Sequence, residues 1–320
     1  MTGQLSFLDY KPEPSPSETD PIQALEPIEL LKDKPGAKLA ELVPDGASLE
    51  LNRHYEIRAI HVGRILAALG EKLAAGGTLT RDQIARQLSM TRALTDGTMN
   101  VMRRMELVDT KTRITSLGAL SLAYSPYLDN IGLLWLLHYL LASNARLVLW
   151  SNLFNLSLHN YEELSLQQIA ESFRPLQGRW SPKTMDDKIP LELNGILKTY
   201  TQALFAPLGL LHKSDTGFYQ GSWDAAGMPL LVWLSVILAY RDRYYSGASA
   251  LETPLIVRGH YSPGRILRQN EATLRRTLDE LHNAGLLTVE TRSGLDQVRF
   301  KREHTWLSAA ARHLRREATR

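Results

Sequence analysis

Between Ile131 and Ala142 the chain reads Ile-Gly-Leu-Leu-Trp-Leu-Leu-His-Tyr-Leu-Leu-Ala. Wound as a helix, this run is apolar on nearly every face, so other helices or lipid must enclose it. It is too short for lipid, because a spanning helix needs about 20 apolar residues. The longer run Ile131 to Trp150 carries His138, Asn144 and Arg146, and the second apolar run, Met228 to Tyr240, is shorter than a span. Both runs therefore predict buried helices at the centre of a helical protein. The N-terminus lacks the basic start and apolar core of a signal peptide, so a cytoplasmic protein without membrane contact is expected.

The 320 residues have room for two or three domains, and 44% hydrophobic content suffices for a real core. Cysteine is absent, which removes disulfides, thiolate metal sites and cysteine nucleophiles together. The net charge of +3 and the isoelectric point near 9.0 suit nucleic-acid contact without demanding it.

Residues 1–45 differ from the rest and read as an arm. Lys11 to Pro21, rich in proline, serine and acid, cannot bury enough surface to order itself. Ahead of it stands one apolar cluster, Gln4-Leu5-Ser6-Phe7-Leu8. Such a peptide offers a glutamine for a polar pocket and paired apolar side chains for a greasy one, as in peptides that bind the bacterial sliding clamp. Gln4, Leu5, Phe7 and Leu8 are thus candidate partner-binding residues on a tether, with a segment that orders on another subunit as the competing reading.

Residues 46–125 predict a winged-helix domain. Tyr55, Ile57, Ile60, Val62, Ile65, Leu66 and Leu69 mark a helical segment to Leu73, ended by Gly76-Gly77. Thr80 with Gln83 has the spacing of a capping box, and Ile84, Ala85 and Leu88 supply the buried face of a short helix. Ser89 to Ala93 read as the turn. Thr95 or Asp96 would cap a second helix to Met105, with Met99, Met102 and Met105 packed inward. Leu107-Val108, a wing at Asp109–Arg113 and a return through Ile114 follow, and Thr115 to Tyr124 starts another helix.

Residues 126–248 read as a helical middle. Tyr161 to Phe173 and Pro190 to Leu204 predict amphipathic helices, and Leu208 to Gly221 a hairpin turning at Asp215-Thr216-Gly217. Residues 249–320 echo the first domain. Asn270 caps a helix to Asn283, Gly285 breaks it, and Leu286–Thr291 and Leu295–Phe300 alternate like strands around Ser293-Gly294. A tail with Arg312, Arg315, Arg316 and Arg320 ends the chain. The predicted fold is mainly α, with winged-helix domains at both ends of a helical middle and small β wings.

Arginine grips phosphates and guanine edges, and asparagine reads adenine. On the first domain Arg92, Asn100, Arg103, Arg104, Lys111 and Arg113 are candidate nucleic-acid contacts; on the last they are Arg265, Arg268, Arg275 and Arg276. The turn Pro263-Gly264 is expected to expose backbone and orient Arg265, which suits a phosphate or carboxylate partner. Winged helices also dock proteins, so both uses stay open. His54 and Glu56 would share a side only in an extended strand, and His138 among leucines reads as a satisfied core histidine. Asp186-Asp187-Lys188 reads as a surface loop. No phosphate loop, nucleophile elbow or His-Glu-x-x-His motif is present, so no catalytic residue, metal or cofactor is expected.

Three stretches together resemble the bacterial "domain of unknown function 4007" family. Arg53-His54-Tyr55-Glu56-Ile57 stands where that family carries Arg-His-Glu-Thr-Phe. Pro126-Tyr127-Leu128-Asp129, followed by Leu134-Trp135-Leu136-Leu137-His138-Tyr139-Leu140-Leu141-Ala142-Ser143-Asn144, is similar to its most distinctive signature. Ser262-Pro263-Gly264-Arg265-Ile266-Leu267-Arg268 resembles its C-terminal one. The resemblance implies a setting beside phosphoadenosine-phosphosulfate-reductase-like proteins, in DNA phosphorothioation and phage-defence systems. A non-enzymatic, DNA-binding accessory subunit of such a complex is the expected function, with duplex DNA and other subunits as partners. A protein-only scaffold that docks a sulfotransfer-type or ATPase partner is the alternative.

Overall fold

Side-chain caps start most of the helices, and their positions explain where the structure follows the sequence pattern and where it departs from it. The computed structural model describes residues 43–158, 163–176, 178–222, 227–292 and 294–319. The candidate partner peptide Gln4, Leu5, Phe7 and Leu8 lies outside the described residues.

Helix α1 (Ala59–Ala74) ends before Gly76, which takes a left-handed φ of 71°. The segment ahead of it is irregular, so Tyr55 and Ile57 precede the helix. Helix α2 (Arg81–Gln87) opens with the predicted capping box between Thr80 and Gln83. Helix α3 (Arg92–Arg104) is capped by Thr91, whose side chain accepts from the Leu94 N–H. The predicted start at Thr95 or Asp96 is therefore about a turn late, and both residues lie buried within the helix. Met99, Met102 and Met105 point into the core as expected. Beyond α3 the expected wing is a tight turn with one antiparallel bridge, Val108 to Ile114. The Asp109 carboxylate closes it by accepting from the Lys111 and Arg113 N–H groups, both at 2.8 Å. Thr115 caps helix α4 (Ser116–Tyr124).

Helix α5 (Ile131–Ala142) is buried from Gly132 to Ala142, as its composition requires. Helix α6 (Val148–Asn152) runs into a π-helical turn, Leu153–Ser157. The amphipathic helix expected over Tyr161–Phe173 is shorter. Strand β1 (Glu163–Leu164) precedes helix α7 (Leu166–Glu171), because Ser165 and Gln168 form a capping box there. Tyr161 is outside the described residues. Helix α8 (Pro182–Thr201) starts at Ser181-Pro182 rather than at Pro190, so Asp186 and Asp187 sit on a helix and not in a loop. Met185, Ile189, Leu193, Ile196, Leu197 and Tyr200 form one buried stripe through Pro190, which holds the two halves in register. Strands β2 (Leu211–Lys213) and β3 (Tyr219–Gly221) make the predicted hairpin, extended by β1 in the order β1-β3-β2.

Helix α9 (Leu230–Tyr244) leads to strand β4 (Ala250–Glu252) and the short helices α10 (Thr253–Arg258) and α11 (Pro263–Ile266). Asn270 caps helix α12 (Glu271–Asn283), as predicted. Strands β5 (Leu287–Glu290) and β6 (Gln297–Phe300) pair antiparallel, and β4 completes the order β4-β6-β5. Helix α13 (Trp306–Ala318) packs on α9, α5 and α4. One buried apolar cluster runs from Val43 to Leu314 through all three segments. Among the described residues no helix is long and apolar enough to cross a membrane.

Candidate nucleic-acid interface

The loop before α1 is pinned between α3 and α8. Glu192 of α8 is buried, and its carboxylate accepts from three backbone N–H groups: Leu51 at 2.5 Å, Asn52 at 2.7 Å and His54 at 2.9 Å. His54 Nδ1 lies 3.2 Å from the same carboxylate. Glu56 turns instead to Arg58, so His54 and Glu56 do not form a pair. The Asn52 backbone passes so close to Gly97 of α3 that a Cβ there would stand 2.5 Å from its carbonyl oxygen. On the other side, a Cβ on Gly195 of α8 would meet Asn52 Nδ2 at 2.6 Å. Squeezed in this way, Arg53 and His54 take left-handed φ values of 50° and 68°. Such conformations cost side-chain-bearing residues about 1–3 kcal/mol each and persist only where the surroundings over-determine them.

The loop aims Arg53 at α3. Its Nη1 lies 3.5 Å from Asp96, which also receives Arg81 Nη1 at 3.2 Å and Arg92 Nε at 3.0 Å. Three guanidinium groups, from the loop, α2 and α3, thus meet on one nearly buried carboxylate. Burial pushes the Asp96 carboxyl up, but the hydrogen bonds from Arg92 and Arg81 outweigh it and leave the pKa below its ordinary value. Arg92 also pairs with Asp82, and Arg81 Nη2 donates to Asn100 Oδ1 at 3.1 Å. Arg92, Asp96, Asn100 and Arg103 recur every three or four residues and so share a stripe of α3. Arg104 follows Arg103 one position round the helix. Burial lowers the Arg103 pKa, and the fields of Arg81 and Arg104 lower it further.

The structure distributes the other predicted contacts unevenly. Lys111 is exposed, and Arg113 is half-exposed with its Nε 2.6 Å from Asp109. Asn100 is engaged with Arg81 and faces the Leu51 carbonyl, which turns it toward the loop. In the C-terminal segment Arg276 is exposed, whereas Arg275 makes a two-pronged bond to Asp296 at 2.8 and 3.2 Å and a third to Glu271. Arg268 corrects the expectation outright. It has no exposed surface, its Nε donates to the Ser222 carbonyl at 2.9 Å, and its Nη1 donates to Leu158. An arginine enclosed in this way cannot meet a duplex. Pro263-Gly264 orients Arg265 toward the protein's own backbone, and the arginine is half-buried. The turn opens α11 under a Ser262 cap, and Arg265 Nε donates to the Arg258 carbonyl at 2.6 Å. Arg53, Arg81 and Asp96 are absent from the predicted set, and only the earlier start of α3 reveals that Arg92 and Asp96 sit one turn apart. Among the described residues no group of three or more histidine, aspartate or glutamate side chains is placed to hold a metal ion.

Comparison with known proteins bears on the fold and the family. Two solved structures share the architecture. "Magnesium ion-bound SspB crystal structure" superposes with a TM-score of 0.69 at 18% identity, covering 88% of this chain and 89% of that one. "SspB crystal structure" gives 0.67 at 17% identity, over 88% and 90%. At such identities the likeness is one of fold. No curated protein matches the chain. The family described as "Protein of unknown function (DUF4007)" matches residues 97–315, which include the signatures at Pro126–Asn144 and Ser262–Arg268 and leave Arg53–Ile57 outside. The match spans more than half of the sequence, and the chain belongs to the DUF4007 family.

Proposed function

We propose that this chain is a DNA-contacting subunit of a bacterial DNA-modification or defence assembly, with α2 and α3 acting as a helix-turn-helix and the Asp109–Arg113 turn as a small wing. The observation that carries the reading is the set of arginines on and beside α3: Arg53, Arg81 and Arg92 meet at Asp96, and farther along the helix Arg103 lies within the fields of Arg81 and Arg104. Guanidinium groups on the second helix of such a pair suit phosphate and base-edge contact in a major groove. The helix–turn–helix of α11 and α12, followed by the β5–β6 hairpin, supports a second winged helix. Its arginines are mostly engaged internally, so we assign the main contact to the first unit. The phosphorothioation or phage-defence setting is the one that the family resemblance implies. One fold neighbour is magnesium-bound, but the described residues of this chain offer no cluster to hold such an ion, and the reading rests on the arginines.

The test is fluorescence anisotropy of a labelled duplex titrated with the protein at several salt concentrations. Wild type is expected to bind with an affinity that falls steeply with salt, and Arg103→Ala/Arg104→Ala is expected to bind several-fold more weakly. No binding even at low salt would overturn the DNA reading and leave a scaffold that docks other subunits.

A further inference from the structure

The backbone that carries Arg53 is held from two helices. Glu192 fixes the backbone on both sides of Arg53, Gly97 admits the Asn52 backbone and Gly195 the His54 backbone, and Arg53 itself sits at a left-handed φ. All of this delivers a third cation to a carboxylate that already receives Arg81 and Arg92. For an ion pair alone the arrangement is wasteful, since the third guanidinium repels the other two and stands 3.5 Å from Asp96, farther than Arg81 and Arg92.

We propose that Arg53, Arg81 and Arg92, gathered on Asp96, form a binding site for one phosphate oxyanion. On DNA that oxyanion is a single backbone phosphate, held where the loop meets α3; this last step rests on the DNA-contact reading above. Charge favours an anion: three guanidinium groups face two carboxylates, Asp96 and Asp82. Donor capacity favours it too. Each guanidinium carries five N–H donors, and contacts among the described residues engage Nη1 of Arg53, Nη1 and Nη2 of Arg81, and Nε and Nη1 of Arg92. The side chains of Arg53 and Arg92 are about half exposed, at 51% and 47%, and that of Arg81 is 21% exposed, so the group opens to solvent at its outer edge. Guanidinium groups from three separate elements suit a tetrahedral oxyanion, whereas a carboxylate would be served by one planar fork. Asp96 and Glu192 act as positioning residues: the first collects the arginines and the second fixes the loop.

The test compares wild type, Arg53→Gln and Arg53→Lys in duplex binding across a salt series, with the melting temperature of each variant as the folding control. If the site holds a backbone phosphate, Arg53→Gln raises Kd roughly tenfold and flattens the slope of log K against log salt by about 0.9, the value of one phosphate contact. Arg53→Lys, which keeps the charge and loses the fork, recovers the slope but only part of the affinity. If wild type binds duplex, and Arg53→Gln folds and keeps both slope and affinity, the site is overturned while the DNA reading stands. A second arm titrates inorganic phosphate into wild type and follows the arginine side-chain N–H resonances by NMR. Saturable shifts lost in Arg53→Gln, in a protein that binds no duplex, would keep the site, assign it to free phosphate and overturn the DNA source. Phosphate shifts that persist unchanged in Arg53→Gln, or no response to either probe, would overturn the site.

Discussion

At the scale of single residues, Glu192 and His138 show how a buried polar group can be fully employed. Glu192 holds three N–H groups of one loop, a task that needs both of its oxygens as acceptors. Glutamine in its place would turn an NH2 group toward those donors. Glu192→Gln is therefore expected to lose roughly 1.5–3 kcal/mol of stability, measured by urea denaturation, and a change within about 0.5 kcal/mol would contradict the clamp. His138 donates from Nε2 to the Ile266 carbonyl at 3.1 Å, so its Nδ1 accepts from the Tyr200 hydroxyl at 2.7 Å. That tautomer is neutral, and burial pushes the pKa down to about 3 from an ordinary 6.5, opposed only in part by the Ile266 bond. Between those two values the unfolded chain binds a proton that the folded chain does not. Stability must therefore fall as the pH drops below 6.5, by about 1 kcal/mol at pH 5.5. Denaturant titrations at pH 7.5 and 5.5 check this. The increment should vanish in His138→Asn, and an equal pH dependence in that variant would contradict it.

At the scale of elements, α3 joins the core to the arginine group, and its contact with the loop is unusually close. Gly97→Ala must displace the Asn52 carbonyl, so it is expected to destabilise by about 1–3 kcal/mol and to weaken duplex binding by moving Arg53. A variant as stable as wild type would contradict that packing. Local signals make much of this unit legible. Thr80 with Gln83 and Asn270 cap helices where the sequence predicts, a helix follows Thr115 as read, and Met99, Met102 and Met105 mark the inner face of α3. The start of α3 is not legible, because Thr91, Thr95 and Asp96 are all competent caps. Tertiary contacts decide between them, for Asp96 is drawn into the helix by Arg81 and Arg92. Arg53 escapes for the same reason, since its anchor Glu192 is distant in the chain. Arg268 reads as a surface cation because nothing in its local sequence shows that the Ser222 and Leu158 carbonyls enclose it.

At the scale of the whole molecule, the continuous apolar cluster and the packing of α13 on α9, α5 and α4 tie the C-terminal segment to the first. Calorimetry is expected to show one cooperative unfolding transition, and two well-separated transitions would contradict a shared core. The same packing bears on function, because it joins α3 and its arginines to the rest of the protein. The most direct measurement is hydrogen–deuterium exchange of the full chain with and without a DNA duplex. If the α2–α3 unit is the DNA surface, the duplex slows exchange over residues 51–58 and 81–113 and leaves the interior of α5 unchanged. Protection confined to α12 and the β5–β6 hairpin, or no protection at saturating duplex, would contradict it.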